Sequence, residues 1–422
     1  MRIYKEWKER TASDDFSVFS TVNEIITNVR QNGDKAVSEY NVKFGGLPAD
    51  SFLVPAEELD KAFDTIPCEL RDAILFATKN LQSFAERQLK SLSPLGEEEV
   101  MKGVFLGHDV IPVDSCCCYV PGGNHPLFST ALMLAIPAKV AGVPRVCAAV
   151  PPMKGSTLPH PATLAALKAA GVDEVYSIGG AQAIAALAYG TESIEPVTMI
   201  VGPGNKYVTE AKRQAYGRVG IDFVAGPSEV LVIADDKADV RIVATDLLAQ
   251  SEHDKDAAGI LVTFSEEFAE KVKAEVEKQL TELDTADIAA VSWENNGRII
   301  IVDSIEEAAQ VSNDIAPEHL EIDLTDNDAI KPLLRNYGSL FIGQGSAEVF
   351  GDYDAGTNHT LPTMGAARYT GGVSVMTFLK VCTFQRVTQE GADKIGPVAE
   401  IMAKHEGLTA HANAAHRRFC KD

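Results

Sequence analysis

The chain has 422 residues, 45% of them hydrophobic and 7% aromatic, with a formal net charge of −22 and a pI near 4.8. That length supports a core divided among two or three domains, and the acidic balance repels a phosphate backbone, which argues against nucleic acid as a partner. No apolar run reaches the roughly 20 residues of a membrane span, and the N-terminus lacks a charged-then-apolar leader pattern, so a soluble, cytoplasmic protein without membrane contact is expected.

From Val22 to about Gln88 the pattern is helical, with Val22, Ile25, Ile26 and Val29 on one stripe, a stop at Asn32-Gly33, and Ala73, Leu75, Phe76, Leu81 and Phe84 continuing later. A hairpin-like passage follows from Val100 to Tyr119. Beyond Val120-Pro121-Gly122-Gly123 short strands alternate with Ala-rich helices. Arg145–Val150, Glu174–Ile178, Thr198–Val201 and Val230–Ile233 read as buried parallel strands, with helices at Pro161–Ala170 and Ala181–Tyr189 between them. A second series begins near Ala238. It comprises helix Val240–Gln250, strand Ile260–Phe264, helix Glu266–Leu280, strand Ile299–Val302, helix Ile305–Asp314, and strands Leu320–Ile322 and Ser339–Ile342. The fold class is therefore α/β, with two doubly wound units and a cleft between them. From about Thr388 the chain is polar and helical, too short for a domain, and reads as an arm.

The seven cysteines, Cys68, Cys116, Cys117, Cys118, Cys147, Cys382 and Cys420, are odd in number and lack C-x-x-C spacing, so neither a disulfide framework nor a thiolate zinc site is indicated. The run Cys116–Cys118 reads as buried strand. The competing reading is a reactive thiol attacking an aldehyde, in a metal-free dehydrogenase that survives chelation but not alkylation.

Three glycine-rich turns, Gly122-Gly123, Gly179-Gly180 and Gly202-Pro203-Gly204-Asn205, stand between a strand and a helix, where backbone amides can face a phosphate. None matches G-x-G-x-x-G, and tight α/β turns explain any one of them. Three together favour a cofactor.

The polar chemistry is concentrated in Gln250-Ser251-Glu252-His253, Ala316-Pro317-Glu318-His319, Gly351-Asp352 with Thr357-Asn358-His359, and Glu406 with His411; five of the nine histidines lie in or beside these clusters. Gln250 and His253, three apart at a helix end, present an amide oxygen and an imidazole nitrogen on one side. Asp352 in its glycine-bounded loop supplies a third donor, and His359 or His411 a fourth. Imidazole and oxygen donors without thiolate suit Zn²⁺ or a neighbour such as Mn²⁺ or Co²⁺.

The wording of these segments resembles the histidinol dehydrogenase family. The matching stretches are Tyr119-Val120-Pro121-Gly122-Gly123, Gly202-Pro203-Gly204-Asn205, Ala225-Gly226-Pro227-Ser228-Glu229, Gln250-Ser251-Glu252-His253 and Ala316-Pro317-Glu318-His319-Leu320. Gly356-Thr357-Asn358-His359 with Leu361-Pro362-Thr363, and Glu406-Gly407-Leu408 with Ala410-His411, complete them in the family's order. The resemblance implies two incomplete Rossmann-like domains plus N-terminal helices and a C-terminal arm. Residues 1–118 with 236–387 would form the first domain, 119–235 the second, NAD-binding one, and 388–422 an arm docking on the partner of a homodimer.

It further implies zinc-dependent, NAD-linked oxidation of an alcohol through an aldehyde to a carboxylate, L-histidinol to L-histidine. Gln250, His253, Asp352 and His411 would hold one zinc per subunit, with Glu318 and His319 as acid/base residues. Ser228, His359 and Glu406 would contact substrate along with His319 and the metal ligands, and Tyr119, Gln182 and Asn205 would contact NAD. His411 and Glu406 would serve the partner's site. The segment Ile111-Pro112-Val113-Asp114 through Tyr119, with Gly217–Asp222 and Tyr369-Thr370-Gly371-Gly372, is instead similar to a sister branch that includes sulfopropanediol dehydrogenases. There, an anion-binding arginine would be expected where Asn124-His125-Pro126 stands. An inactive binding module would lack acid/base or metal residues, and here all are present.

Overall fold

The computed structural model describes residues 1–7, 16–122 and 126–420. Two parallel sheets organise it. The first runs Arg2–Lys5, Arg298–Ile301, Ala258–Thr263, Glu229–Ala234, His319–Asp323, Ser339–Ile342, with only the Arg2–Lys5 edge antiparallel. The second runs Glu174–Tyr176, Arg145–Ala149, Ser115–Tyr119, Met199–Val201, Gly220–Ile221, all parallel. Counting parallel strands in chain order, both sheets read 3-2-1-4-5, so in each the earliest strand lies at the centre and the winding reverses beside it.

That topology corrects the expected domain limits. Strand Ser115–Tyr119 is the centre of the second sheet and strand Glu229–Ala234 the centre of the first, so the divisions fall before these strands rather than after them. The N-terminal helices also change sides. Helix Phe16–Lys43, kinked at Gly33, packs through Val22, Ile25, Ile26 and Val29 onto the helices of the second sheet, and helix Cys68–Ser91 shares that sheet's other core face. The Val100–Tyr119 passage divides as well. Leu95–Met101 and Val104–Pro112 form a hairpin that pairs antiparallel with Leu379–Val387, in register from Pro112↔Leu379 to Val104↔Val387.

Local chemistry accounts for the elements that were read well. Helix Pro161–Ala170 starts with Pro at its first turn, His160 Nδ1 accepts the Ala162 N–H at 3.2 Å, and Gly171 closes it in the left-handed conformation. Helix Ile305–Ile315 is capped by Ser304, whose hydroxyl accepts the Glu307 N–H. The C-terminal segment is a pair of helices, Gln389–His405 and Thr409–Phe419, broken at Glu406-Gly407-Leu408. Their outer face leaves Val398, Ile401 and Met402 more than half exposed, and Val381 of the adjoining strand is 65% exposed. Among the described residues no helix is long and apolar enough to cross a membrane.

Cys116, Cys117 and Cys118 lie wholly buried on the central strand, their side chains alternating between the two core faces of the sheet. Burial pushes the Cys117 thiol well up, and the Cys116 contact together with burial does the same for Cys118, so neither supplies a thiolate. The reactive-thiol reading does not survive this placement. In an Ellman titration of the native protein Cys68, Cys382 and Cys420, the exposed thiols, are expected to react quickly, and Cys116–Cys118 and Cys147 only after unfolding. Rapid modification of the Cys116–Cys118 peptide in native protein would contradict the buried-strand assignment.

Candidate active site

Glu318 and His319 are delivered by a strained turn. Helix Ile305–Ile315 ends at Ala316, whose φ of 56° is unusual for a residue with a side chain, and Pro317 prevents the helix from continuing. Glu318 and His319 follow at the start of strand His319–Asp323. The Glu318 carbonyl accepts the Ser339 N–H at 2.9 Å, and a Cβ on Gly338 would stand 2.5 Å from that same oxygen. Met364, the other described non-glycine residue with positive φ, donates its N–H to Glu229 Oε1 at 2.7 Å beside the same strand ends. The short helix Glu348–Tyr353 sets Glu348 and Asp352 four residues apart and hence on one face.

These elements converge on the His319 ring. Nε2 lies 3.5 Å from Asp352 Oδ1, and Nδ1 lies 3.7 Å from Glu318 Oε2 and 3.9 Å from Glu348 Oε1; the His319 and Glu318 side chains are 5% and 7% exposed. These are ion-pair separations rather than hydrogen bonds, and neither ring nitrogen has a hydrogen-bond partner among the described residues. Glu318 Oε2 accepts the Glu229 N–H at 3.0 Å. Gln250, fully buried at the end of helix Val240–Ser251, fits when its amide nitrogen donates to Glu348 Oε1 at 2.5 Å and its oxygen shares the Glu229 N–H at 3.1 Å.

Electrostatics follow from this crowding. Burial pushes Glu318 up to about 7 and Glu348 up to about 8, in each case against the pull of His319. Burial alone would discharge the His319 ring, but Glu348, Glu318 and Asp352 outweigh it and hold His319 well above the ordinary range. For Asp352 burial is likewise overcome, by His319, and its carboxyl stays below its usual value. His253, although solvent-accessible, is lowered chiefly by desolvation, against the opposing field of Asp352.

The expected site residues thus separate into groups. Gln250, Glu318, His319 and Asp352 come together, with Ser228 immediately before Glu229 and His253 within the electrostatic reach of Asp352 and His319. His359 is a strut. Its Nδ1 is 2.9 Å from the Asp352 carbonyl, an acceptor, which makes Nδ1 the donor and leaves Nε2 to accept from Thr130 Oγ1 at 3.2 Å. Both nitrogens being engaged, His359 does not offer the fourth metal donor considered for it. Glu406 and His411 are exposed on the C-terminal helical pair, and neither makes a hydrogen bond or ion pair with the cluster within one chain. Asn124 and His125 lie outside the described residues. Glu348 was missed by the sequence reading, although its four-residue spacing to Asp352 was there to find.

The donor set fits a cation. Carboxylate or imidazole atoms of His319, Glu348 and Asp352 lie within 4.8 Å of one another, and the two unpartnered His319 nitrogens and the compressed Gln250–Glu348 contact mark a site with more donors than protons to share.

A second feature opens at the carboxyl ends of the second sheet, at its winding reversal. There a cavity of about 900 Å³ is lined by Tyr119, Gly122, Gly179, Gly180, Gln182 and Asn205 among others. Two of the amides expected to face a phosphate are already engaged. Gly180 donates its N–H to Tyr119 Oη at 3.0 Å and Gly202 donates its N–H to Asp222 Oδ2 at 2.7 Å, while Asn205 Oδ1 caps helix Lys206–Ala215 by accepting from Tyr207 and Val208. The buried Gln182 Oε1 has no hydrogen-bond partner among the described residues and fits a dinucleotide donor.

A sequence model of the histidinol dehydrogenase family matches residues 8–419. The chain belongs to the histidinol dehydrogenase family. It is 46% identical over 402 residues to a histidinol dehydrogenase homolog of Shouchella clausii (95% of this chain, 94% of that protein). It is 45% identical over 413 residues to the histidinol dehydrogenase of Rhizobium meliloti (97% and 94%). The crystal structure of histidinol dehydrogenase from Elizabethkingia anophelis superimposes with a TM-score of 0.91 at 39% identity, covering 98% of this chain and 94% of that one. Membership in the histidinol dehydrogenase family makes the chain an enzyme, an oxidoreductase, and confirms the two-sheet α/β architecture.

The buried carboxyls give stability a sign. Folded Glu318 and Glu348 keep their protons to about 7 and about 8, whereas an unfolded glutamate releases its proton near ~4.3. The folded state therefore binds more protons across that window, and stability falls as pH rises through it. His319, also raised, acts in the same sense, its contribution being lost as pH climbs through the folded value. Metal-free protein is expected to melt a few degrees lower at about pH 8 than at about pH 5.5 in scanning calorimetry, with a shallower slope in Glu318→Gln. A melting temperature that rises over this range would mean these carboxyls are ionised and compensated.

Proposed function

We propose that the chain oxidises L-histidinol to L-histidine, through the aldehyde, at the expense of two NAD, with a divalent cation of the zinc type at the His319 cluster. The observation that carries this reading is the buried Glu318–His319 pair, 3.7 Å apart, with Asp352 on the ring's other nitrogen. Gln250, His253 and Asp352, with the partner subunit's His411, would hold the cation. Bound there, it would supply Lewis-acid polarisation of the alcohol and, by taking up the charge of Asp352, weaken the field that keeps His319 protonated.

His319, once neutral, accepts the hydroxyl proton as the carbinol hydride leaves for the nicotinamide face of the cavity beside Tyr119 and Asn205. Glu318, whose pKa near 7 suits a base at neutral pH, then takes a proton from water as that water adds to the aldehyde. Once His319 and Glu318 have released their protons to solvent, the hydrate gives a hydroxyl proton to His319 and its hydride to the second NAD, and the acid formed ionises to the carboxylate. Ser228 stands at the strand mouth where the substrate enters, and His359, pinned between Thr130 and the Asp352 backbone, keeps the Asp352 carboxylate aimed. The relatives' names give the sulfonated-diol alternative no support. The half-exposed apolar face of the C-terminal helices favours a homodimer in which Glu406 and His411 complete the neighbouring site.

With zinc-loaded enzyme, two NADH are expected per L-histidinol, and little from sulfopropanediol. Glu318→Gln should slow aldehyde oxidation by about 10²–10⁴-fold while sparing the first hydride transfer. Brisk turnover of another alcohol with none of histidinol would overturn the substrate. For the shared site, mixing inactive His319→Ala and His411→Ala homodimers under subunit exchange should restore roughly a quarter of wild-type activity, since one of the two sites in each mixed dimer is then intact. No regain would place His411 outside the site.

A further inference from the structure

The least expected buried charge in the second unit is Lys212, whose side chain is 2% exposed and paired with Asp222, itself 1% exposed. A lysine this deep loses its hydration, and such a pair often contributes no more stability than apolar residues of similar volume, so its presence calls for a role beyond stability. Its hydrogen bonds supply one. Lys212 Nζ donates to the Gly202 carbonyl at 2.8 Å and to Asp222 Oδ1, while Asp222 Oδ2 accepts the Gly202 N–H at 2.7 Å. Both backbone polar groups of one residue are thus gripped by the two halves of one ion pair.

Gly202 is the first residue after strand Met199–Val201. Its φ of 120° is closed to other side chains, and a Cβ there would collide with the Tyr119 carbonyl. The register Met199↔Gly220 and Ile200↔Ile221 brings Asp222 level with the end of that strand. Lys212 comes from helix Lys206–Ala215, whose cap is Asn205, and Thr209 of the same helix donates to the Gly204 carbonyl at 3.3 Å. Strand end, loop 202–205, helix and the neighbouring strand therefore meet at one buried charge pair, and the Gly202 it holds abuts the Tyr119 backbone and leads into Asn205, both residues of the cavity lining.

We infer that Lys212 and Asp222 are positioning residues for the dinucleotide. By clamping both peptide groups of Gly202 they fix the Tyr119–Gly202–Asn205 floor, and so set affinity for NAD rather than the rate of hydride transfer. The inference rests on NAD occupying this cavity.

The test uses the intact zinc-loaded enzyme. Removing one partner alone would leave a buried charge and risk unfolding, so the informative variant is the double Lys212→Met/Asp222→Leu, which keeps the interior dry and neutral. It should remain folded, melting several degrees below wild type because the buried Gly202 N–H and C=O lose their partners, lose hydrogen-exchange protection in the peptide around Gly202, and show KM and Kd for NAD raised about 10-fold or more. Its kcat and KM for histidinol should stay within about threefold of wild type. A folded double variant that binds NAD as wild type does, or one that loses kcat with unchanged NAD affinity, would overturn the clamp. Gln182→Ala separates the two failures. If Gln182→Ala leaves NAD binding unchanged as well, the cavity is not the NAD site and the clamp falls with that reading; if it weakens NAD while the double variant does not, only the clamp is wrong.

Discussion

Burial of three carboxyls around one imidazole is the constraint from which the rest of the cluster follows. Glu318, Glu348 and Asp352 approach His319 from the turn before its strand and from a single short helix, and no lysine or arginine forms an ion pair with any of them among the described residues. Such a cluster is stable only if protons or a cation offset the charge. The chain meets this by holding Glu348 largely and Glu318 partly protonated near neutrality, with His319 charged. The strain at Ala316, the glycine at 338 and the Gln250 amide serve the same end, since each keeps a donor or acceptor within reach where a relaxed backbone would let the carboxylates separate.

The two sheets share a strand order yet are used at opposite edges. In the second, the cavity opens at the carboxyl ends of the strands beside the winding reversal, where loops diverge and leave room for a ligand. In the first, Glu229, Glu318 and His319 stand at the amino ends of the two strands flanking the reversal, and Gln250 arrives on the returning helix. Direct ties join the two units. Thr130 meets His359, Asn358 donates to the Met133 carbonyl at 2.5 Å, and Gly226 donates to Thr363 Oγ1 at 2.6 Å.

Most of the repeating architecture was legible because it is written locally. Pro161–Ala170 carries its own start and stop signals, and Cys116–Cys118 read correctly as buried strand because small apolar side chains occupy both faces of a central strand. The domain limits were not legible, because periodicity reports that a strand is buried and not which sheet buries it; in a 3-2-1-4-5 sheet the first strand becomes the centre and appears, in sequence, to close the preceding unit. Edge strand Arg2–Lys5 has no inward-facing apolar series, and helix Ala286–Asn296, with little amphipathic contrast, was passed over. At the site, Gln250 and Asp352 were picked out by donor type and local placement, whereas Glu318 and His319, visible as a polar cluster, took their acid/base roles from the family resemblance alone. Glu348 was overlooked because a six-residue helix is too short to show a period. His359 was read as a possible ligand because its two partners, 229 residues away and seven residues away, are set by tertiary packing alone.

The two buried charge systems illustrate different uses of a low-dielectric interior. Lys212 and Asp222 are one cation and one anion, each with its hydrogen bonds directed at Gly202, so the pair is electrically closed and can only hold shape. The His319 cluster is open, with three carboxyls against one imidazole and both ring nitrogens unpartnered, so its state changes whenever a proton, cation or substrate arrives. Geometry that must not move is secured by compensated charge, and chemistry that must change is placed where charge is left over. The compensated pair lies at the end of strand Met199–Val201 in the second unit and the uncompensated cluster at the amino ends of the central strands of the first, so a change of protonation at His319 or Glu318 is separated from the Gly202 backbone that Lys212 and Asp222 hold.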